Sequence, residues 1–283
     1  MAGLRAAYVL TGFVLLTVLC VPLQWTALRL DMRPEGKILL FYHRALCRLL
    51  GVKITIIGTP VKKGVLMVAN HAGWLDIPII STVQPLSFIA KSEISTWPLF
   101  GMLSRLQNTI FVHRAKRNAV VSDSEVMCKR LRAGDVLVVF PEGTSSDGNR
   151  VLRFKSALLG AAELPLSDDG APDVVHVPVQ PVSIAYVKLH GIPMGRENRP
   201  FFAWYGDMEL VPHLWGVFGR GPIDVVIEFH QPLTVDQVGG RKQLAAAAEA
   251  IVRAGVARAL SGTSATPSGE DEALTEALAE QAA

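Results

Sequence analysis

The sequence predicts one α/β layered domain built on a mixed sheet, preceded by an N-terminal membrane helix and an interfacial helix. Three observations carry this. An uncharged apolar run opens the chain, short apolar runs alternate with helical patterns through its middle, and no repeat or second domain interrupts them. At 283 residues, 50% of them hydrophobic, the chain can hold one sizeable core plus a membrane anchor.

Residues 6–25 carry no charge and match the roughly 20 residues that a helix needs to cross a bilayer. Only Arg5 precedes the run, and no small-x-small cleavage site follows before Arg29. Residues 1–28 therefore read as a retained anchor and not as a cleaved leader. Arg29, Arg33 and Lys37 outnumber Arg5, which puts the following domain on the cytoplasmic side of the inner membrane. Pro22 leaves room for a tilted or re-entrant helix, and a buried core helix has the same composition.

Residues 29–50 form the second unit. Ile38, Tyr42, Ala45, Leu46 and Leu49 recur at helical spacing. Lys37, Arg44 and Arg48 fall on another face together with Phe41, which suits a membrane–water interface or an ordinary surface helix.

The domain itself is expected over 51–260. Its strand candidates are 52–57, 64–69, 86–90, 109–112, 135–140, 174–184, 201–205 and 224–229. Helical patterns lie at 77–81, 97–106, 119–133 and 154–163, and 239–260 is an Ala-rich helix. Beyond it, 261–283 turns to Ser, Thr, Gly, Glu and Ala, the composition of a mobile tail.

A net charge of +3 is too small to argue for nucleic acid. Basic residues nevertheless clump at Arg114, Lys116, Arg117, then Lys129, Arg130, Arg132, then Arg150, Arg153, Lys155. Such a patch suits an anionic headgroup, an acidic carrier protein or plain solvent. Cys20, Cys47 and Cys128 have neither C-x-x-C spacing nor a His partner at zinc spacing, so neither a disulfide framework nor a metal is expected.

Two motifs carry chemistry. Asn70-His71-Ala72-Gly73-Trp74-Leu75-Asp76 follows an apolar run and precedes Ile77-Pro78, so it reads as strand, tight turn, helix. Through a turn containing Gly73, the Asp76 carboxylate can fold back to the His71 imidazole. It would fix the tautomer there and leave the other ring nitrogen free to take a proton. A structural His beside a helix-start Asp has the same spacing. The second motif is Phe140-Pro141-Glu142-Gly143-Thr144-Ser145-Ser146-Asp147-Gly148, a turn rich in small residues and suited to an oxyanion or phosphate oxygen. Asn149-Arg150 stands where a nucleotide-binding P-loop needs Lys-Ser/Thr. Neither Ser145 nor Ser146 lies in a G-x-S-x-G elbow, which counts against a serine hydrolase.

Together these blocks resemble the bacterial 1-acylglycerol-3-phosphate acyltransferase family. Thr109-Ile110-Phe111-Val112-His113-Arg114 and Val177-Pro178-Val179-Gln180-Pro181-Val182 supply two further blocks in the family's order. The resemblance spans about 52–232. It implies an O-acyltransferase that moves a fatty acyl group from an acyl-carrier-protein or coenzyme A thioester to a lysolipid hydroxyl at the bilayer. It implies no cofactor, no metal and no acyl-enzyme, with His71 as general base and Asp76 as its partner. By family position Glu142, Gly143, Thr144 and Ser145 shape the acceptor site, and Lys91 and Arg114 are candidates for an anionic headgroup.

One residue departs from the pattern. The family has Arg after the Thr of its third block, and here Ser145 stands there. A hydroxyl cannot replace a bidentate guanidinium on a phosphate monoester. With Phe202-Ala203-Trp204-Tyr205-Gly206-Asp207-Met208 downstream, the sequence looks like the lyso-ornithine lipid branch. Lysophosphatidic acid remains the alternative acceptor.

Overall fold

The computed structural model describes residues 1–30, 35–112, 117–165 and 176–263. Two long helices come first, α1 (Ala2–Arg29) and α2 (Glu35–Leu50). The strands are β1 (Val52–Gly58), β2 (Val65–Ala69), β3 (Ser87–Lys91), β4 (Ile110–Val112), β5 (Val136–Val139), β6 (Val179–Leu189), β7 (Ile192–Pro193) and β8 (Ile223–Phe229). Among them lie α3 (Asp76–Ile80), α4 (Phe100–Leu106), α5 (Arg117–Arg132) and α6 (Leu210–Gly219). The helices α7 (Val235–Val238) and α8 (Arg241–Ser261) close the described chain.

The sheet is mixed, with strand order β1-β8-β6-β2-β5-β3-β4 and β7 paired to β6. From β6 to β4 all neighbours run parallel, and β8 reverses direction against β6. The central strands are buried on both faces, which explains their nearly continuous apolar runs. Their two faces still separate by period two. Val65, Met67, Ala69, Val136 and Val138 join one cluster with residues of α1, α2, α3 and α6. Leu66, Val68, Leu137 and Val139 join another with α5 and α8. The result is a helix–sheet–helix sandwich. Small residues let α8 lie close to the sheet, and Ala245, Ala247 and Ala248 are all buried.

α1 lies along the domain. Near its start, the Arg5 guanidinium donates to the carbonyls of Phe218, Arg220 and Leu50. Near its end, Gln24 donates to Leu106 O at 2.9 Å. Its outward side leaves Tyr8, Val14, Leu15, Val18, Leu19 and Trp25 exposed. On α2, Lys37, Phe41, Arg44 and Arg48 are all exposed, as the helical spacing predicts.

Several elements differ from expectation. The 201–205 run is no strand; Arg199–Phe201 is a 3-10 turn, and Phe202 and Ala203 are buried where the loop packs over the His71 turn. Burial by a loop leaves the same apolar signature as a ladder. Helix 97–106 begins only at Phe100, because Pro98 holds Trp97 extended at φ −71°, ψ 132°. The 154–163 pattern is a 3-10 stretch broken at Leu159. α6 was not legible in advance: it is apolar all round and carries Pro212 and Gly216, so no polar face reveals its period. Residues 264–283, the expected tail, lie outside the described residues.

Candidate active site

β2 and β5 are parallel neighbours, so both motif loops leave the sheet side by side at their carboxyl ends. The Asn70 side chain fixes the first. Its Oδ1 accepts from Ile184 N at 2.8 Å and its Nδ2 donates to Ile184 O at 2.9 Å, which extends the pairing one step beyond β2. The chain then turns sharply, and Asp76 N donates to Gly73 O at 3.1 Å.

Asp76 is the centre of this turn. Its side chain is wholly buried, and its Oδ2 accepts from His71 Nδ1 at 2.8 Å, Ala72 N at 2.7 Å and Gly73 N at 3.0 Å. Its Oδ1 accepts the Tyr186 hydroxyl at 2.6 Å. A carboxylate accepts only, so Nδ1 of His71 carries a proton, and in the neutral ring the lone pair lies on Nε2. The ring stacks on Phe140, with centroids 4.1 Å apart and planes 16° off parallel. The Asp76 bond fixes the tautomer, and the side chain, 20% exposed, lines an apolar cavity. That arrangement can remove a proton from a hydroxyl.

Gly73 is required by close approach. A Cβ there would lie 2.7 Å from Trp204 N. Trp204 N itself donates to Ala72 O at 2.8 Å, which clamps the 202–208 loop onto the turn. Trp74 Nε1 reaches His213 Nδ1 of α6 at 3.0 Å.

The second loop is tied to the first by Ser146 N, which donates to His71 O at 2.8 Å. Gly143 turns the chain at φ +74°, with its N–H on Phe140 O at 3.1 Å. Glu142 lies beneath, 2% exposed, and its Oε1 accepts from His71 N at 3.3 Å. Its Oε2 is buried without a partner among the described residues. Thr144 is exposed and Ser145 half-buried above it. Lys91 ends β3 and is exposed. Arg114 lies outside the described residues.

Burial pushes the Glu142 carboxyl up to about 8, against the opposing influence of the His71 and Leu152 amides. Unfolded, a Glu ionises near ~4.3. Between those values the folded state holds the extra proton, so stability falls as pH rises and levels off above the higher value. Glu142→Gln keeps the neutral form at every pH. Its melting temperature minus that of wild type should therefore grow from about pH 5 to about pH 8. A gap independent of pH would show that the carboxyl is ionised throughout.

An apolar cavity of about 230 Å³ lies between α1, α2, α4 and α6, with His71, Trp74 and Trp204 in its wall. Phe13, Leu46, Leu103 and Phe218 line it, one from each helix. Such a cavity can take a hydrocarbon chain while leaving its polar end at the imidazole.

Residues 53–185 match the model of the Acyltransferase family. A lyso-ornithine lipid O-acyltransferase of Brucella abortus is 44% identical over 92% of this chain and 96% of that protein. The chain belongs to the acyltransferase family. The acyltransferase is also 40% identical to a lyso-ornithine lipid O-acyltransferase of Rhizobium meliloti, over 82% of this chain and 78% of that protein. A 1-acyl-sn-glycerol-3-phosphate acyltransferase of Neisseria gonorrhoeae is 34% identical over 59% of each chain. The crystal structure of the 1-acyl-sn-glycerophosphate acyltransferase PlsC from Thermotoga maritima superposes with a TM-score of 0.62. It is 25% identical and covers 95% of this chain and 100% of that one.

Sequence reasoning missed Tyr186, Asn70 as a strand extension, and Trp204. A faint signal existed for Tyr186, a hydroxyl in the otherwise apolar run Ile184-Ala185-Tyr186-Val187.

Proposed function

We propose that the acyltransferase moves a fatty acyl group from an acyl-carrier-protein or coenzyme A thioester to the free hydroxyl of lyso-ornithine lipid. The observation that carries the chemistry is the His71–Asp76 pair at 2.8 Å with Nε2 unused. As the acceptor oxygen attacks the thioester carbonyl carbon, its proton passes to Nε2. Asp76 stabilises the resulting imidazolium. Collapse of the tetrahedral intermediate breaks the C–S bond, and the imidazolium returns the proton to the departing thiolate. The donor chain occupies the apolar cavity. Thr144, Ser145, Lys91 and Arg114 contact the acceptor, whereas Glu142 and Gly143 act from beneath by holding the turn.

The acceptor reading rests on Ser145 and on the names of the two relatives at 40% identity or more. Lyso-ornithine lipid carries a carboxylate and an ammonium and no phosphate, so no bidentate phosphate ligand is needed. The test is a competition assay on purified full-length protein with a labelled acyl donor, lyso-ornithine lipid and lysophosphatidic acid. Wild type should prefer lyso-ornithine lipid, and Ser145→Arg should shift kcat/KM roughly tenfold toward the phosphorylated acceptor. Strong wild-type preference for lysophosphatidic acid with no gain from Arg would leave that acceptor as the natural one.

The reaction belongs at a membrane surface. α1 is long and apolar enough to cross a membrane. Its outward side is apolar, Val211 and Trp215 of α6 are exposed as well, and α2, which packs on α1, exposes a basic face. This face docks on the cytoplasmic leaflet of the inner membrane, where the basic residues meet anionic headgroups. Full-length protein found wholly in the soluble fraction after lysis would sink this part of the reading.

A further inference from the structure

Two opposite charges stand beside the second loop without pairing to each other. Asn149 is the post between them. Its backbone N–H donates to Asp147 Oδ1 at 3.1 Å, and its Oδ1 accepts from Arg199 Nη1 at 2.7 Å. Asn149 Nδ2 also donates to Arg196 O at 3.1 Å, so one side chain holds the 196–199 segment to the loop. Gly148 turns the loop at φ +74°, the left-handed region that favours glycine, and lies against Arg199.

Arg199 lacks an anion. It makes no ion pair among the described residues, and its Nε is buried without a partner. Burial, with Arg196 nearby, lowers its pKa from the usual guanidinium value, the response of a cation with no counter-charge. Among the described residues, the ion pair Asp147 makes is with Arg150, at 3.7 Å and with 69% of the Arg150 side chain exposed, a pair worth little. The loop between them is bound to the His71 turn through Ser146, and the Arg199 segment runs on to Trp204 on the same turn. Both segments are thus anchored to the turn that carries His71.

We propose that Arg199 and Asp147 form the receptor for a zwitterionic lysolipid headgroup, Arg199 taking a carboxylate and Asp147 an ammonium. This rests on the acceptor reading above. It also explains how Ser145 can stand where a phosphate-binding family has Arg: the cation comes from a different loop and is offset from an anion. Keeping the charges apart on Asn149 prevents them from neutralising each other before the headgroup arrives.

The test uses three acceptors sharing one 3-hydroxyacyl amide: lyso-ornithine lipid, the 1,4-diaminobutane amide lacking the carboxylate, and the norvaline amide lacking the ammonium. Arg199→Gln should lower kcat/KM for lyso-ornithine lipid roughly ten- to hundredfold and leave the diaminobutane amide unchanged. Asp147→Asn should do the same for lyso-ornithine lipid and leave the norvaline amide unchanged. The unaffected acceptor reports in each case that the variant is folded. Equal losses on all three acceptors, or no loss on any, overturn the inference while wild-type turnover of lyso-ornithine lipid keeps the acceptor reading. Absence of that wild-type turnover overturns both.

Discussion

Replacing His71 by Ala should lower the rate of acyl transfer by about 10²–10⁴-fold in a protein that remains folded. The imidazole is part-exposed, and its one side-chain hydrogen bond goes to Asp76. Removing it leaves Asp76 with both loop amides and the Tyr186 hydroxyl, so the turn keeps its framework. An alcohol is a poor nucleophile at neutral pH, so losing the positioned imidazole removes the base that takes its proton. Asp76→Asn should also lose much of the rate, because an amide in place of the carboxylate no longer enforces the Nδ1–H tautomer or stabilises the imidazolium. Steady-state transfer measured beside circular dichroism decides this. A folded His71→Ala protein with wild-type kcat would eliminate His71 as the base.

Asp76→Ala should do something different, a loss of about 3–5 kcal/mol of stability. The carboxylate is completely buried and accepts four hydrogen bonds. Truncation strands the amides of Ala72 and Gly73 and the Tyr186 hydroxyl without acceptors, each at a cost of about 1–3 kcal/mol. For a domain of this size the melting temperature should fall by on the order of 10 °C. Tyr186→Phe removes a single donor and should fall well short of that. Thermal unfolding in one detergent separates the cases. An Asp76→Ala protein that melts within a degree or two of wild type would mean that water replaces the carboxylate, and the turn would then not be a buried centre.

The contrast between these two substitutions marks how far the sequence could be read. The pairing of His71 with Asp76 was legible because the turn lets the carboxylate fold back and because four blocks in the order of a known family set it apart from a structural His of the same spacing. The rest of the aspartate's environment was not. Tyr186 arrives from 110 residues further on, and only the parallel pairing of β6 with β2 brings it over Asp76. The sequence placed Gly73 in the turn, but only the structure shows that it is needed because Trp204 presses on it. Glu142 was expected at the acceptor, yet the turn folds its carboxyl underneath, where burial favours the neutral form.

The same division holds for the fold. The sequence by itself determined most strand positions of the core, the two N-terminal helices and the two loops that carry chemistry, although the strand expected at 174–184 runs over Val179–Leu189. Each of those is set by local periodicity or by a turn whose geometry is fixed by its neighbours in the chain. Only the tertiary structure decided that 201–205 is a loop, that α6 and α1 close an apolar cavity over His71, and that Arg199 stands across Asn149 from Asp147. These depend on which surfaces are left to be covered once the sheet has formed. An apolar run shows that a segment will be buried, but the partner that buries it comes from another part of the chain.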